Sequence, residues 1–466
     1  MNSLRIAIAL VGVTGMCLAT PPRPKTKAPA ARNWLEFGGD VTGSGALHGP
    51  SGISAENIGQ LQKRQVQLDG TVDAAAIYIH AARIKGAAHD AFFVTTTYGK
   101  TIAVDANDGA ILWEFTPPGF SSWQGTRQIT NSTPVADPDR EYIYATDPGG
   151  KVTKLAVSDG HQLWSTAITL LPHREKMDSP LRVFDGHVIA VTAGYIGDAP
   201  PYQGHVAILD AASGKLLHVW NSLCSNRTGL IEPSSCDASD SAIWGRTGAV
   251  IDPATGNIFV ATGNAPWNGT TNWGDAVVEL NPDATRMLGN WTPANTDQLN
   301  DTDLDIGSTS PVLLGGGYVA QGGKDGLIRV LELSKIAGTA PHKFDAPSVE
   351  TPRGEGRRAQ MLFSSPAVWR GNGQEWMFVT DSSGTEAFTF ANGKLTPQWK
   401  NGNGGTTPVV ADGLVYVYGG TDGGLKVYEA TSGKQVANLD CGAGHWNSPI
   451  VVDGRIALPE GNANRR

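Results

Sequence analysis

The sequence predicts an all-β chain, an eight-bladed β-propeller of four-stranded blades whose last blade is incomplete and is closed by an N-terminal strand. Three observations predict it. The 466 residues carry 58 Gly and 28 Pro with only 17% charged side chains, a turn-rich composition that suits many short strands. A glycine-led strand, a turn and a second strand recur seven times, opening at Gly99, Gly150, Gly204, Gly274, Gly326, Gly384 and Gly424. Their spacing of about 40 to 70 residues is that of propeller blades rather than of helical solenoids. Ahead of most copies stands a Ser/Thr-Pro step, at Thr133-Pro134, Ser179-Pro180, Ser310-Pro311, Ser365-Pro366, Thr407-Pro408 and Ser448-Pro449. Proline is tolerated at the first residue of a strand, so these steps mark the innermost strands.

Taken in order, residues 1–19 hold one early arginine and then an apolar run too short to span a bilayer, and read as a secretory signal peptide. Residues 20–33 are a Pro- and Lys/Arg-rich linker, and residues 34–466 form the propeller. Within the copies apolar residues alternate, as in VAILD and LKVYE, the two-residue period of a half-buried strand. Trp113, Trp164, Trp220, Trp291 and Trp399 close the outer strands on one face and are read as packing between blades. The eighth copy, HWNSPIVVDGRIALPEGN, supplies two strands only; LQKRQVQLD, residues 61–69, is expected to return as its outermost strand, because an open edge invites pairing with other chains.

A net charge of −8 excludes a sequence-independent nucleic-acid binder, which needs a basic face. No later apolar run is long enough to span a membrane. The expected partners are a small-molecule substrate or a protein. Export permits disulfides, and of Cys17, Cys224, Cys236 and Cys441 the first leaves with the signal. Cys224 and Cys236 enclose a short polar loop and are expected to be bridged, with Cys441 a small buried hydrophobe. The ten histidines make no metal-ligand spacing, and His445 before Trp446 reads as a core or tunnel-lining residue.

The repeats resemble the pyrroloquinoline quinone (PQQ) repeat propellers, a superfamily that includes quinoprotein alcohol dehydrogenases and non-enzymatic scaffolds of outer-membrane assembly. The stretch AIWGRTGAVIDPATGNIFVATGNAPWN places Trp244, Asp252-Pro253, Gly263-Asn264 and Pro266-Trp267-Asn268 in the family's order. The resemblance implies that Trp244 forms the floor under the quinone and that Asn264 is a calcium ligand. NDTDLDIGSTSPVLL is similar to the family's Trp-Asp-x-Asp segment, which makes Asp303 the catalytic base beside the metal, although Thr302 stands where the family has tryptophan. YVAQGGKDGLIRVLE resembles the hairpin whose lysine touches the quinone oxygens, here Lys324.

The residue types suit the chemistry: an ortho-quinone accepts hydride when a cation or an ammonium polarises its carbonyl, and a carboxylate can take the alcohol proton. The sequence also departs from the family. TRQITNSTPV lacks the vicinal cysteines, and TAGYIGDAPPYQG lacks the calcium-binding glutamate, with only Asp198 as a substitute. No Cys-x-x-Cys-His occurs, so haem is not expected and electrons would leave to an external acceptor. The expectation is a periplasmic or secreted propeller of the PQQ and calcium alcohol dehydrogenase type with a degenerate site. The alternative is a non-catalytic binding scaffold, for Gly263-Asn264 and Lys324-Asp325-Gly326 are also good turn sequences in their own right.

Overall fold

The computed structural model describes residues 33–195, 197–351 and 361–464. The signal peptide and all of the linker but its last residue lie outside them. Among the described residues seven four-stranded antiparallel sheets follow one another along the chain, each in sequential strand order. In the first blade Ile77–Ile84 pairs with Ala87–Thr95, which pairs with Thr101–Asp105 and then Ile111–Phe115. The propeller class is thus as expected, but among the described residues the four-stranded blades number seven, and the incomplete eighth blade is not closed into one.

At the eighth position stands a two-stranded sheet, Ile450–Val452 with Arg455–Ala457. The N-terminal strand expected to complete it is not formed. Among the described residues that blade has no third strand, so residues 61–69 find no ladder to join and run alongside without strand pairing. They are held instead by side chains: Leu61, Val66 and Leu68 pack on the cluster that contains Ile450 and Val452, and Lys63 pairs with Asp440 at 3.2 Å. The exposed edge is therefore covered by a loop rather than by a hydrogen-bonded strand.

The Ser/Thr-Pro steps do lead into innermost strands, among them Val135–Ala136, Arg182–Phe184, Val312–Leu314 and Val409–Ala411. The tryptophans do pack between blades. A Cβ at Gly160 would stand 2.5 Å from the Trp113 ring, and Gly214 and Gly433 meet Trp164 and Trp399 in the same way, so each ring lies flat on the turn of the following blade. Trp113 Nε1 then donates to Val157 O, and Trp399 Nε1 to Ala430 O, both at 2.8 Å.

Residues 34–51 form a strap through the ring. Trp34 exchanges backbone hydrogen bonds with Tyr78 of the first blade, and Leu35 O accepts from Ala136 of the second. Arg182 of the third blade, fully buried, donates to Glu36, Phe37 O and Asp40 O. Val41 O accepts from Ile251, Ser44 O from Val368, Gly45 O from Val410, and Ser51 O from Gly454. The strap meets the blades in ring order and skips the fifth. There a cavity of about 1170 Å³ opens beside Leu313, Leu314 and Tyr318. The hairpins joining first to second strands face this end, and the loops joining second to third strands face the other.

Candidate functional site

The loops at the other mouth carry the residues singled out in the sequence. In the fourth blade Ile258–Ala261 and Val277–Leu280 are joined by residues 262–276, a polar segment that holds two tryptophans. Those tryptophans stiffen the loop: Trp267 and Trp273 bridge each other, and Trp273, 2% exposed, packs in the core and donates to Ser225 Oγ at 2.9 Å. The loop thereby fixes Asn264, whose backbone carbonyl accepts from Ser241 at 2.6 Å.

After this blade the short helix Thr296–Thr302 ends at Asp303, which takes the left-handed conformation with φ 54°. Aspartate tolerates that conformation, and the turn it makes sends Asp303 and Asp305 toward the fifth blade. Lys324 stands on the tight turn between Tyr318–Gln321 and Leu327–Glu332, its backbone nitrogen donating to Asp305 O at 3.0 Å.

The side chains converge. Lys324 Nζ lies 2.6 Å from Asp303 Oδ1 and 2.5 Å from Asp305 Oδ2, and Asn264 Nδ2 donates to Asp303 Oδ1 at 2.8 Å. A Cβ on Gly263 would come within 3.3 Å of Trp244 and 3.4 Å of Asp305 Oδ1, so Trp244 and Asp305 close around that glycine. Trp244 meets the edge of Tyr202, with ring centroids 6.5 Å apart. The four residues Trp244, Asn264, Asp303 and Lys324 thus belong to one neighbourhood. Asp198 is exposed and accepts from the Tyr202 hydroxyl at 3.2 Å; none of the described hydrogen bonds joins it to Asn264 or Asp303.

Burial pulls the Lys324 ammonium toward neutrality, but Asp305 and Asp303 outweigh it and hold its pKa above the ordinary lysine value. Beneath lie two carboxylates whose part the sequence did not show. Asp275 is fully buried and accepts from the Ile306 backbone at 3.1 Å; burial first and Asp305 second push its pKa well above the aspartate range. Burial also raises Asp305, against the pull of Lys324. Asp275 Oδ2, Asp305 Oδ1 and Asn264 Oδ1 are buried without a hydrogen-bond partner. Buried polar atoms are normally satisfied, so three orphaned oxygens in one neighbourhood mark a place prepared for a ligand or ion.

Sequence reasoning also missed the axial ring below the mouth. The residues preceding the Ser/Thr of each inner strand are Ser132, Asp178, Arg246, Thr309, Ser364, Thr406 and Asn447. Two adjacent members are charged where the others are small or neutral, and aligning the copies would have exposed them. The expected disulfide between Cys224 and Cys236 is present and Cys441 is free. No helix among the described residues is long and apolar enough to cross a membrane.

Comparison with known proteins agrees with this picture. The PQQ-repeat family profile described as outer membrane protein assembly factor BamB matches residues 56–229. The chain is 24% identical over 217 residues to polyvinylalcohol dehydrogenase of Sphingopyxis sp. (strain 113P3), covering 44% of this chain and 32% of the relative. It is 21% identical over 380 residues to the dehydrogenase subunit of alcohol dehydrogenase (quinone) of Gluconobacter oxydans (strain 621H), covering 72% and 48%. The chain therefore spans less than half the length of these curated relatives. Among solved structures, quinohemoprotein alcohol dehydrogenase from Comamonas testosteroni superposes with a TM-score of 0.68 at 16% identity, over 92% of this chain and 77% of that one, a likeness of fold. Residues 56–229 thus match the PQQ-repeat family, and the chain folds as a β-propeller like that of the quinohemoprotein alcohol dehydrogenase.

Proposed function

We propose that residues 34–466 form a quinoprotein dehydrogenase-type propeller that holds PQQ at the mouth described above and acts on a small alcohol-like substrate. The observation that carries this reading is the convergence of Asn264, Asp303, Asp305 and Lys324 beside Trp244, with three buried oxygens left unpaired. The relatives named for quinone-dependent alcohol oxidation support it.

The residues present suit a planar anionic quinone. Trp244 offers an aromatic face and Lys324 an ammonium at its rim, so stacking and a charge-assisted hydrogen bond would hold and orient the ring. The quinone, when bound, supplies the hydride acceptor. Asp303, 59% exposed in its side chain, is the carboxylate that substrate can reach. Held between Asn264 and Lys324, it is positioned to take the hydroxyl proton. Asn264 Oδ1 and Asp303 are the oxygens that would ligate calcium. The Lys324 ammonium already draws on Asp303 and Asp305, and Asp198 is turned to Tyr202, so we expect cation binding only at high calcium. Electrons would pass to a separate acceptor.

The Cys224–Cys236 bridge supports export, and a periplasmic or secreted location is proposed with residues 1–19 as the signal. Titration with PQQ, following tryptophan quenching with and without calcium, tests the reading alongside dye-linked alcohol oxidation. Saturable quenching, with alcohol oxidation low, is expected. Absence of quenching would favour the other reading, a binding scaffold, to which the BamB match over residues 56–229 points.

A further inference from the structure

On the strap face, away from the mouth, side chains from the first and last segments of the ring come together. His80 stands on a bulge of the first blade's inner strand: Ile79 pairs with Ala91 and Ala82 with His89, so His80 and Ala81 together oppose Asp90, and Ala81 takes φ 51°. Such a bulge re-aims the side chain it carries. It also pins Asp90, whose Oδ1 accepts from the Ala81 backbone at 3.1 Å. Asp453 comes from the other end of the chain, on the two-residue turn between Ile450–Val452 and Arg455–Ala457, where Asp453 and Gly454 have φ 52° and 73° as a type I′ turn requires. The Tyr78 hydroxyl donates to Asp453 Oδ2 at 2.8 Å and fixes that carboxylate against the first blade.

One ligand atom from each of His80, Asp90 and Asp453 lies within 4.8 Å of the other two. His80 Nδ1 is 2.8 Å from Asp90 Oδ1 and 3.5 Å from Asp453 Oδ2, yet this buried nitrogen makes no hydrogen bond to either. The oxygens thus lie off the line of the ring nitrogen, as ligands of a shared ion do, whereas a hydrogen-bond partner lies on that line. Around a tetrahedral zinc ion with bonds of about 2.0–2.2 Å, neighbouring ligand atoms stand about 3.3 Å apart, between the two spacings found. His80 is 41% exposed in its side chain, which gives an ion a path from solvent. Arg455 is the cation at hand. It holds Asp90 by the other oxygen, Oδ2 at 3.2 Å, shares Asp453 Oδ2 at 2.9 Å, and donates to Asn107 Oδ1 at 2.7 Å. Two carboxylates against one guanidinium leave a negative charge that a neutral imidazole does not offset. An ion on His80 Nδ1, Asp90 Oδ1 and Asp453 Oδ2 would cancel it, with Arg455 kept on Asn107 and on Asp90 Oδ2 to orient that carboxylate.

We infer that His80, Asp90 and Asp453 form a site for zinc or a similar first-row divalent ion, which staples the first blade to the last hairpin. An imidazole nitrogen with two carboxylates suits zinc and its neighbours better than calcium or magnesium, which take oxygen ligands. The staple lies where the ring closes without a strand ladder among the described residues, for residues 61–69 cover that edge unpaired. No spacing in the chain announces it, because positions 80, 90 and 453 meet only once the ring has closed. The site is independent of the quinone reading, and the calcium expected at the mouth is a different ion on different residues.

The test titrates the full chain, freed of metal with EDTA, with Zn2+ by calorimetry and follows thermal unfolding with and without the ion. One Zn2+ per chain should bind at the tightest site and raise the unfolding midpoint, and an equal concentration of Ca2+ should not displace it. His80→Gln and Asp453→Asn should each weaken that binding by about 100-fold or more and remove the rise, since losing a ligand outweighs losing an outer partner, itself worth about 10- to 100-fold. Asp303→Asn, at the mouth, should leave both readouts as in the wild type, and circular dichroism verifies that each variant is folded. No saturable Zn2+ binding by the wild type, unaltered binding in both folded variants, or loss of binding in Asp303→Asn would overturn the staple.

Discussion

Lys324→Ala is expected to unmake the electrostatic balance of the mouth, and its cost can be worked from burial. The ammonium lies 2.6 Å from Asp303 and 2.5 Å from Asp305. Asp303 is 59% exposed in its side chain and can return to water, so its loss of a partner contributes little. Asp305 is 2% exposed in its side chain and cannot. Removing one partner of a buried pair costs about 3–5 kcal/mol, and that is the loss expected for Lys324→Ala at pH 8 in urea unfolding. The sign with pH follows from Asp305. Without the ammonium its folded pKa rises further, so stability is fully present below the unfolded aspartate value of about 3.9 and is lost as pH rises through the folded value. The deficit should therefore shrink to under about 1 kcal/mol at pH 4, where the carboxyl is protonated. Adding Asp305→Asn should recover most of it at pH 8. A Lys324→Ala protein within about 1 kcal/mol of the wild type at pH 8, or a deficit equal at pH 4 and pH 8, would refute the reasoning.

The remaining expectations concern the frame. Arg182→Met removes hydrogen bonds to Glu36, Phe37, Asp40, Thr247 and Ala249 and should cost about 3–5 kcal/mol, with limited proteolysis now cutting within residues 33–51. Glu36 beside it is raised to about 7, burial prevailing over Arg182, so its protonated form favours the fold and its contribution is lost as pH climbs through about 7. Urea midpoints between pH 5 and pH 8 should decline less steeply in Glu36→Gln than in the wild type; equal slopes would remove this assignment. Replacing Cys224 and Cys236 by serine opens a loop of sequence separation 12 and should cost about 3 kcal/mol in the same assay, while non-reducing peptide maps of the wild type should recover the two cysteines joined.

Much of this architecture could be read from the chain because its cause is local and repeated. A Pro after Ser or Thr can begin a strand but not sit within a ladder, so each such step announced an inner strand, and each Trp near a turn glycine announced a contact between blades. The closure could not be read in that way. LQKRQVQLD has the alternation of a strand, but whether it ladders depends on a third strand that the eighth position does not form among the described residues, which is a property of the partner and not of the segment. The site divides along the same line. Asn264, Asp303 and Lys324 stood in motifs with a fixed order, whereas Asp275, Asp305 and Arg246 matter through burial, and burial is set by residues distant in sequence. The strap was equally hidden, for nothing in NWLEFGGDVTGSG tells which blades will receive its carbonyls.

That strap has a consequence for how the molecule assembles. Its carbonyls and side chains bond to the first four blades, to the sixth and seventh, and to the eighth position, which is supplied by the last residues of the chain. The segment that precedes the blades thus completes its bonds only once residues as far along as Gly454 are available. Contacts of such long sequence separation slow folding, because loop closure must be met before they repay it. They also mean that the ring cannot peel blade by blade from its ends as an open repeat array does. Unfolding is expected to be a single cooperative event that begins with release of residues 34–51, and a chain threaded out from its N-terminal side stays unlocked until Gly454 has followed.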